Sequence, residues 1–158
     1  MNWRGSPTVS DRLLATLPYL LPLTIAVAYF SGPFFSQFPF LFIFFQPLLP
    51  LIQILNLPFA IIIIFFALLL LVVRNSSISH FIRFNTMQAI LLDIALFICS
   101  LLLQLLGIAS PSGPIIETLF NVIFLGSVAA VGYSVVQTLM GRYAEIPTIS
   151  DAVHMQVR

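Results

Sequence analysis

The sequence predicts an all-α membrane protein of four transmembrane helices, with a proline- and phenylalanine-rich interfacial or re-entrant segment between the first and the second. Three observations predict it. Hydrophobic residues make up 60% of the 158 and charged ones 7%, against about 25% charged in soluble chains, which leaves too little polar surface to solubilise a globule. Four apolar stretches, at 13–30, 57–73, about 84–106 and 115–140, reach the roughly 17 to 25 residues that a helix needs to cross the hydrocarbon core. The cations also segregate. With four spans, Arg4, Arg12, Arg74, Arg83, Arg142 and Arg158 all fall on one face, and the opposite loops, about 31–56 and 107–114, hold no basic residue. Short cytoplasmic loops gather such residues, so residues 1–158 read as one membrane domain with both termini inside.

The first run follows Arg4 and Arg12, and Ala26-Val27-Ala28 resembles a signal-peptide cleavage site. The run is longer than a usual signal core and contains Pro18 and Pro22, so a retained span is expected. A fifth apolar stretch, 38–55, carries Pro39, Pro47 and Pro50, and only Asn56 separates it from the Leu57 run. No chain reverses across a bilayer in one residue, and a crossing there would put Arg74 and Arg83 on the far side. The stretch is therefore expected in the outer interface or as a re-entrant segment. Half of the 16 phenylalanines fall between Phe30 and Phe45. They read either as a plug filling space between helices or as an element lining or gating a path. In the fourth run, Gly126, Ala130 and Ser134 have the spacing that lets helix backbones approach, either within the chain or between copies. After Gly141, Pro147 and Asp151 suggest a loosely ordered tail.

Several chemistries are excluded. There is no Lys, hence no lysine-based covalent catalysis, and no clustered cations for nucleic acid. Cys99 is the single cysteine, and His80 and His154 are far apart without metal-ligand partners nearby in sequence. No nucleophile elbow, zinc-protease motif, phosphate loop or paired carboxylates appear. The chain reads as a non-enzyme without a metal or cofactor. His80 reads as a plain interfacial residue, and Arg74 and Arg83 as headgroup anchors.

The third run carries the informative residues. At 100° per residue, Thr86, Asp93, Ser100 and Gln104 fall within a wedge of about 40°, forming one polar stripe. A central Asp costs about 2.5 to 3.5 kcal/mol on insertion scales, and such residues face a bundle interior or a cavity. The stripe is either interhelical hydrogen-bonding glue or the lining of a path or a protonation site. Counted from the start of the run, Asp93 lies about 12 Å deep. Tyr19 and Tyr133 lie at similar levels, so a hydrogen bond from Asp93 to a tyrosine hydroxyl or to a polar group of the fourth helix is expected. Arg83 is about 15 Å away along the helix, too far for a direct pair.

The string VRNSSISHFIRFNTMQAILLD from Val73 through Asp93, with LPYLLPL at Leu17–Leu23 and FFALLLLVVRN at Phe65–Asn75, resembles a known family. It is that of the twenty-kilodalton membrane subunit of the translocon at the inner chloroplast envelope, in its cyanobacterial or plastid-encoded form. The matching positions are Arg74, Asn75, Arg83, Asn85, Gln88 and Asp93, none of them catalytic. The resemblance implies a four-helix bundle with stromal or cytosolic termini, in the plastid inner envelope or a cyanobacterial membrane. It also implies a role in preprotein import, as part of a protein-conducting path, with other translocon subunits, a preprotein client and further copies of the chain as partners. The absence of a transit peptide implies a cyanobacterial or plastid gene product. Two rival roles stay open: an assembly factor or scaffold for other membrane complexes, and a small-solute carrier using Asp93.

Overall fold

The computed structural model describes residues 5–157; Arg4 and Arg158, two of the arginines placed on one face, lie outside the described residues. Among these the regular elements are all helical. Three helices are long and apolar enough to cross a membrane by themselves: α1 (Val9–Phe30), α5 (His80–Leu105) and α6 (Pro114–Leu139). Between them lie α2 (Gly32–Gln37), α3 (Pro39–Leu55) and α4 (Ala60–Val73), and the chain ends in α7 (Ile149–Gln156). A fourth crossing is counted only if α3 and α4, bent by 101°, are taken as one broken span.

The boundaries follow local chemistry. Thr8 and Asp11 form a reciprocal capping box at the start of α1: the Asp11 N–H donates to Thr8 Oγ1 (3.1 Å), and the Thr8 N–H donates to the Asp11 carboxylate (3.0 Å). Pro18 has no N–H to give, and Leu17–Tyr19 tightens there into a 3₁₀ turn that leaves Tyr19 wholly buried. Pro39 and Pro47 likewise fall in Pro39–Leu48, which stays in 3₁₀ form before an α-helical turn resumes at Leu49–Leu55 with Pro50 in its first turn. Pro58 and the left-handed Phe59 (φ 63°) then turn the chain. The run at 57–73 therefore enters its helix only at Ala60: eight α-helical residues, then six of π-helix, span at most about 21 Å. That is shorter than the roughly 30 Å of a hydrocarbon core. By contrast α5 starts at His80, four residues before the expected 84, capped by Ser79 Oγ, which accepts from the Ile82 N–H. It is 26 residues long, about 39 Å.

The phenylalanine-rich segment packs onto α6. Phe124, 1% exposed, holds the rings of Phe34, Phe35 and Phe45 at 5.2, 5.6 and 6.0 Å, and Phe30 meets Phe120 at 5.7 Å. The other face of α3, with Phe40, Ile43 and Phe44, is exposed.

The described arginines gather at the opposite end. Arg12 lies against Gly141, where an added Cβ would stand 2.8 Å from its Nε. Arg83 Nε donates to the Val73 carbonyl at 2.7 Å, satisfying one of the open carbonyls that every helix C-terminus leaves. The His80 ring lies 3.1 Å from the Tyr143 hydroxyl, so the starts of α5 and α1 and the end of α6 share one level with Arg74 and Arg142. The segment after Gly141 is not a loose tail. It folds into α7 and packs on α5, with Val153 and Val157 buried among Val73, Phe84, Met87 and Ile90. Ile149, Val153 and Val157 recur every four residues, one helical face, and that stripe outweighs the turn signal of Pro147.

Candidate functional site

The polar residues of α5 serve two separate faces. In its first turns, residues 84–90 are all buried, and Asn85 and Gln88 join a network that spans three helices. Tyr19 Oη on α1 donates to Asn85 Oδ1 (2.9 Å) and accepts from Gln88 Nε2 (3.0 Å). Gln88 Nε2 also lies 3.3 Å from Ser134 Oγ on α6. Thr138 Oγ1 lies 2.8 Å from Asn85 Oδ1 and 2.6 Å from the Ser134 carbonyl, with one proton to give between them. Asn85 Nδ2 returns to its own helix at the Phe81 carbonyl (2.8 Å). All five side chains are fully buried, where such bonds lock helix register. Asn75 Oδ1 accepts from the Ser77 N–H (3.0 Å) and orders the turn before α5.

Asp93 does not belong to that network. The expected bond to a tyrosine fails: Tyr19 is taken by Asn85 and Gln88, and Tyr133 is 46% exposed on the outside of α6. The reason is depth. Because α5 begins at His80, Gln88 sits about 12 Å into the helix and Asp93 about 20 Å, halfway along it. Tyr19 meets the shallower pair. Asp93 is 8% exposed, and neither carboxylate oxygen has a hydrogen-bond partner.

The helix face around Asp93 borders a cleft. α4 meets α5 chiefly through its last six residues, Leu68–Val73, and diverges from it toward Ala60. The gap is about 660 Å³. One wall is α5, with Asp93, Phe97, Ser100 and Gln104; the other is α4, with Ile62 and Phe66; Ile25 and Tyr29 of α1 close the back. Tyr29, Ile62 and Phe97 are half exposed or more, so the cleft opens on the flank of the bundle. Gln104 Nε2 donates to Ser100 Oγ at 3.2 Å, and apart from Asp93 every other lining side chain named here is apolar or aromatic. The predicted stripe is thus split. Asp93, Ser100 and Gln104 share this cleft, whereas Thr86 is fully buried beside a second, apolar cavity of about 480 Å³ with Pro18, Leu21 and Ile64. The Thr86 hydroxyl has no hydrogen-bond partner. The sequence reading picked out Asn85 and Gln88 as signature positions but missed their joining with Tyr19, Ser134 and Thr138. Their three-residue spacing on α5 was the signal available.

Among the described residues no three of His, Cys, Asp and Glu come together as metal ligands. A helical bundle with apolar flanks, its described cations at one end and a buried polar network tying three helices describes a small multi-pass membrane protein. Comparison with known proteins narrows this. The profile described as "Chloroplast import apparatus Tic20-like" matches residues 4–153, and the chain belongs to that family. It is 47% identical over 150 residues to a Tic20 family protein of Synechocystis sp., covering 94% of this chain and 93% of that one. It is 34% identical to Protein TIC 20-II, chloroplastic, of Arabidopsis thaliana over 96% of this chain and 75% of that protein. It is also 34% identical to the Tic20 family protein Ycf60 of Gracilaria tenuistipitata var. liui, over 95% and 76%. The family is described by its place in an import apparatus rather than by an enzymatic activity.

Proposed function

We propose that the chain is a membrane subunit of a protein-import translocon, in the plastid inner envelope or a cyanobacterial membrane, and that it works only as part of a larger assembly. Family membership supports the first half. One observation carries the second: the axis of the bundle is filled. Tyr19, Phe30, Phe84, Ile90 and Phe124 are all at most 1% exposed along its length, so no polypeptide runs through the middle of one copy. A protein-conducting path involving this chain would be shared with other subunits or further copies, and its polar wall would be the flank that carries Asp93, Ser100 and Gln104. Thr86, buried elsewhere, takes no part.

In this reading the single domain crosses the membrane four times, with α3 and α4 as one broken span: α4 reaches about 21 Å, and α3, turned 101° from it, dips in from the outer face to complete the crossing, with Phe40 and Phe44 toward lipid. Both termini lie on the stromal or cytosolic side, supported by Arg12, Arg74, Arg83 and Arg142 at one end of the bundle. Asn85 and Gln88 tie the bundle together, Arg83 closes the end of α4 and Asn75 orders the turn before α5, while Arg74 is exposed. The test is capture in mild detergent of a precursor arrested in transit. The precursor is expected to co-purify with the chain, and its import is expected to slow when the chain is depleted. Import at an unchanged rate without the chain overturns the reading. Labelling that puts the two termini in different compartments overturns the topology.

A further inference from the structure

The outer part of the crossing made by α3 and α4 is not clad for hydrocarbon. α4 climbs at most about 21 Å from its arginine end, so of a core roughly 30 Å thick about 9 Å is left for α3 on that flank. α3 exposes carboxamides at Gln46 and Gln53, and Asn56 exposes another at the bend. A carboxamide among lipid tails has nothing to bond and bears the full cost of an unpaired polar group. Pro47 and Pro50 also remove two N–H donors inside the segment, and a backbone short of donors is costly in hydrocarbon.

The opposite flank shows no such shortening. α5 and α6 are 26 residues each, about 39 Å, and the exposed row Leu119, Val122, Leu125 and Ala129 keeps α6 apolar through its outer and middle turns. The α3 side instead mixes amides with bare aromatic rings: Phe40, Phe44 and Phe59 are 69, 75 and 74% exposed. That is the surface of a segment lying in a membrane interface, where rings enter the acyl region and polar groups meet headgroups and water.

We infer that the chain thins the bilayer along its α3–α4 flank. The outer headgroups sink onto Gln46, Gln53 and Asn56, and the hydrocarbon beside α4 shrinks to about the 21 Å that α4 spans. The partner of this surface is the headgroup layer of the outer leaflet, drawn inward by the amides and gripped by the exposed phenylalanines. Local thinning is how a bilayer meets a span shorter than its core, at modest cost per ångström. The inference rests on the four-crossing topology and not on the translocon reading. A polar segment passing beside α4 would cross less hydrocarbon than one passing beside α6.

The experiment uses the full chain with Cys99→Ser, reconstituted in vesicles of dioleoylphosphatidylcholine and carrying one nitroxide label, at Ile63 on α4 or at Ala129 on α6. Both residues are exposed and stand about 15 Å above the inner ends of their helices, Val73 and Leu139. Neither lines the cavities of about 660 and 480 Å³. In a flat bilayer both labels sit near the centre and collide mainly with oxygen. With thinning, the Ile63 label lies about 6 Å below the outer headgroups. Its collision rate with a water-soluble nickel chelate, relative to oxygen, is expected to exceed that at Ala129 by roughly threefold or more. The triple change Gln46→Leu, Gln53→Leu, Asn56→Leu is expected to bring the Ile63 value down to the Ala129 value, with helical circular dichroism as the folding control. A second measurement needs no variant of α3: in vesicles of the shorter dimyristoleoylphosphatidylcholine the two labels are expected to converge, because that bilayer is thin all round. Equal depths in the longer lipid overturn the inference. So does a contrast that the folded triple variant or the shorter lipid leaves intact, or an Ile63 label shielded from oxygen and nickel alike, the mark of a second copy on that face. Termini labelled in different compartments would defeat the topology instead, and unchanged import without the chain would defeat the translocon reading; the depth contrast measures neither.

Discussion

Tyr19 offers the sharpest test of how this bundle is held. Replacing it with Phe removes one oxygen from a site that is fully buried, and with it the bond donated to Asn85 Oδ1 (2.9 Å) and the bond accepted from Gln88 Nε2 (3.0 Å). Interhelical hydrogen bonds in membrane proteins average about 0.6 kcal/mol and reach about 1.7, so two of them set a range of about 1 to 3 kcal/mol. The structure argues for the lower end. Asn85 Oδ1 keeps Thr138 as a donor, and Gln88 Nε2 keeps Ser134 as an acceptor, so no buried group loses its last partner. Asn85→Leu differs in that respect. It deprives Tyr19 O–H of its acceptor and leaves a buried donor unpaired, a loss of about 1 to 3 kcal/mol by itself. The expected order of destabilisation is Asn85→Leu, then Tyr19→Phe at about 1 kcal/mol, then Tyr133→Phe within about 0.5 kcal/mol of the parent as an exposed control. Equilibrium unfolding in mixed detergent micelles, followed by helical circular dichroism, measures all three. A Tyr19→Phe protein as stable as the parent, or one no different from Tyr133→Phe, would refute the argument that this network fixes the helices.

Three further changes probe the other contacts. Arg83→Met keeps the apolar stem but removes the bond to the Val73 carbonyl, and the end of α4 is expected to loosen by about 1.5 to 3 kcal/mol; faster amide exchange at 72–75 is the readout. Phe124→Ala removes the ring around which Phe34, Phe35 and Phe45 gather, at a cost of about 3 to 5 kcal/mol, and is expected to expose the 31–48 segment to protease. Val153→Asp puts a carboxylate into the wholly buried contact of α7 with Phe84 and Met87; the helix is expected to detach, seen as proteolytic trimming after Gly141 with the spans intact.

Much of the fold was legible because bilayer thickness and cation placement act on long stretches of sequence. The three long helices and the gathering of the described arginines at one end follow from those two constraints. Local breaks were harder to read. Nothing in the 57–73 run marks its entry point except Pro58, so the left-handed Phe59 and the short α4 were invisible to a count of apolar residues. The start of α5 was placed at the first apolar residue, whereas its cap, Ser79, lies outside the run. That four-residue shift assigned Tyr19 to the Asp93 carboxyl instead of the carboxamides of Asn85 and Gln88. The polar stripe was drawn as one wedge through Thr86, yet Asn85 and Gln88 project about 100° and 160° away from it. α5 therefore has two polar faces, and only the one turned inward was built into a network.

This two-faced helix explains why the signature residues are not equivalent. Asn75 orders the turn before α5, Arg83 closes the end of α4, and Asn85 and Gln88 tie α5 to α1 and α6; each has a partner within the chain that uses its chemistry. Asp93 stands one turn beyond, where α4 peels away, and has none. Folding alone gains nothing from a carboxyl there, since an apolar side chain would fill the same position without the burial cost. Residues that serve the fold should weaken it when replaced, and Asp93 should not. An Asp93→Leu bundle at least as stable as the parent would place the carboxyl outside the set of groups that hold the fold, and a clear loss of stability would return it to that set.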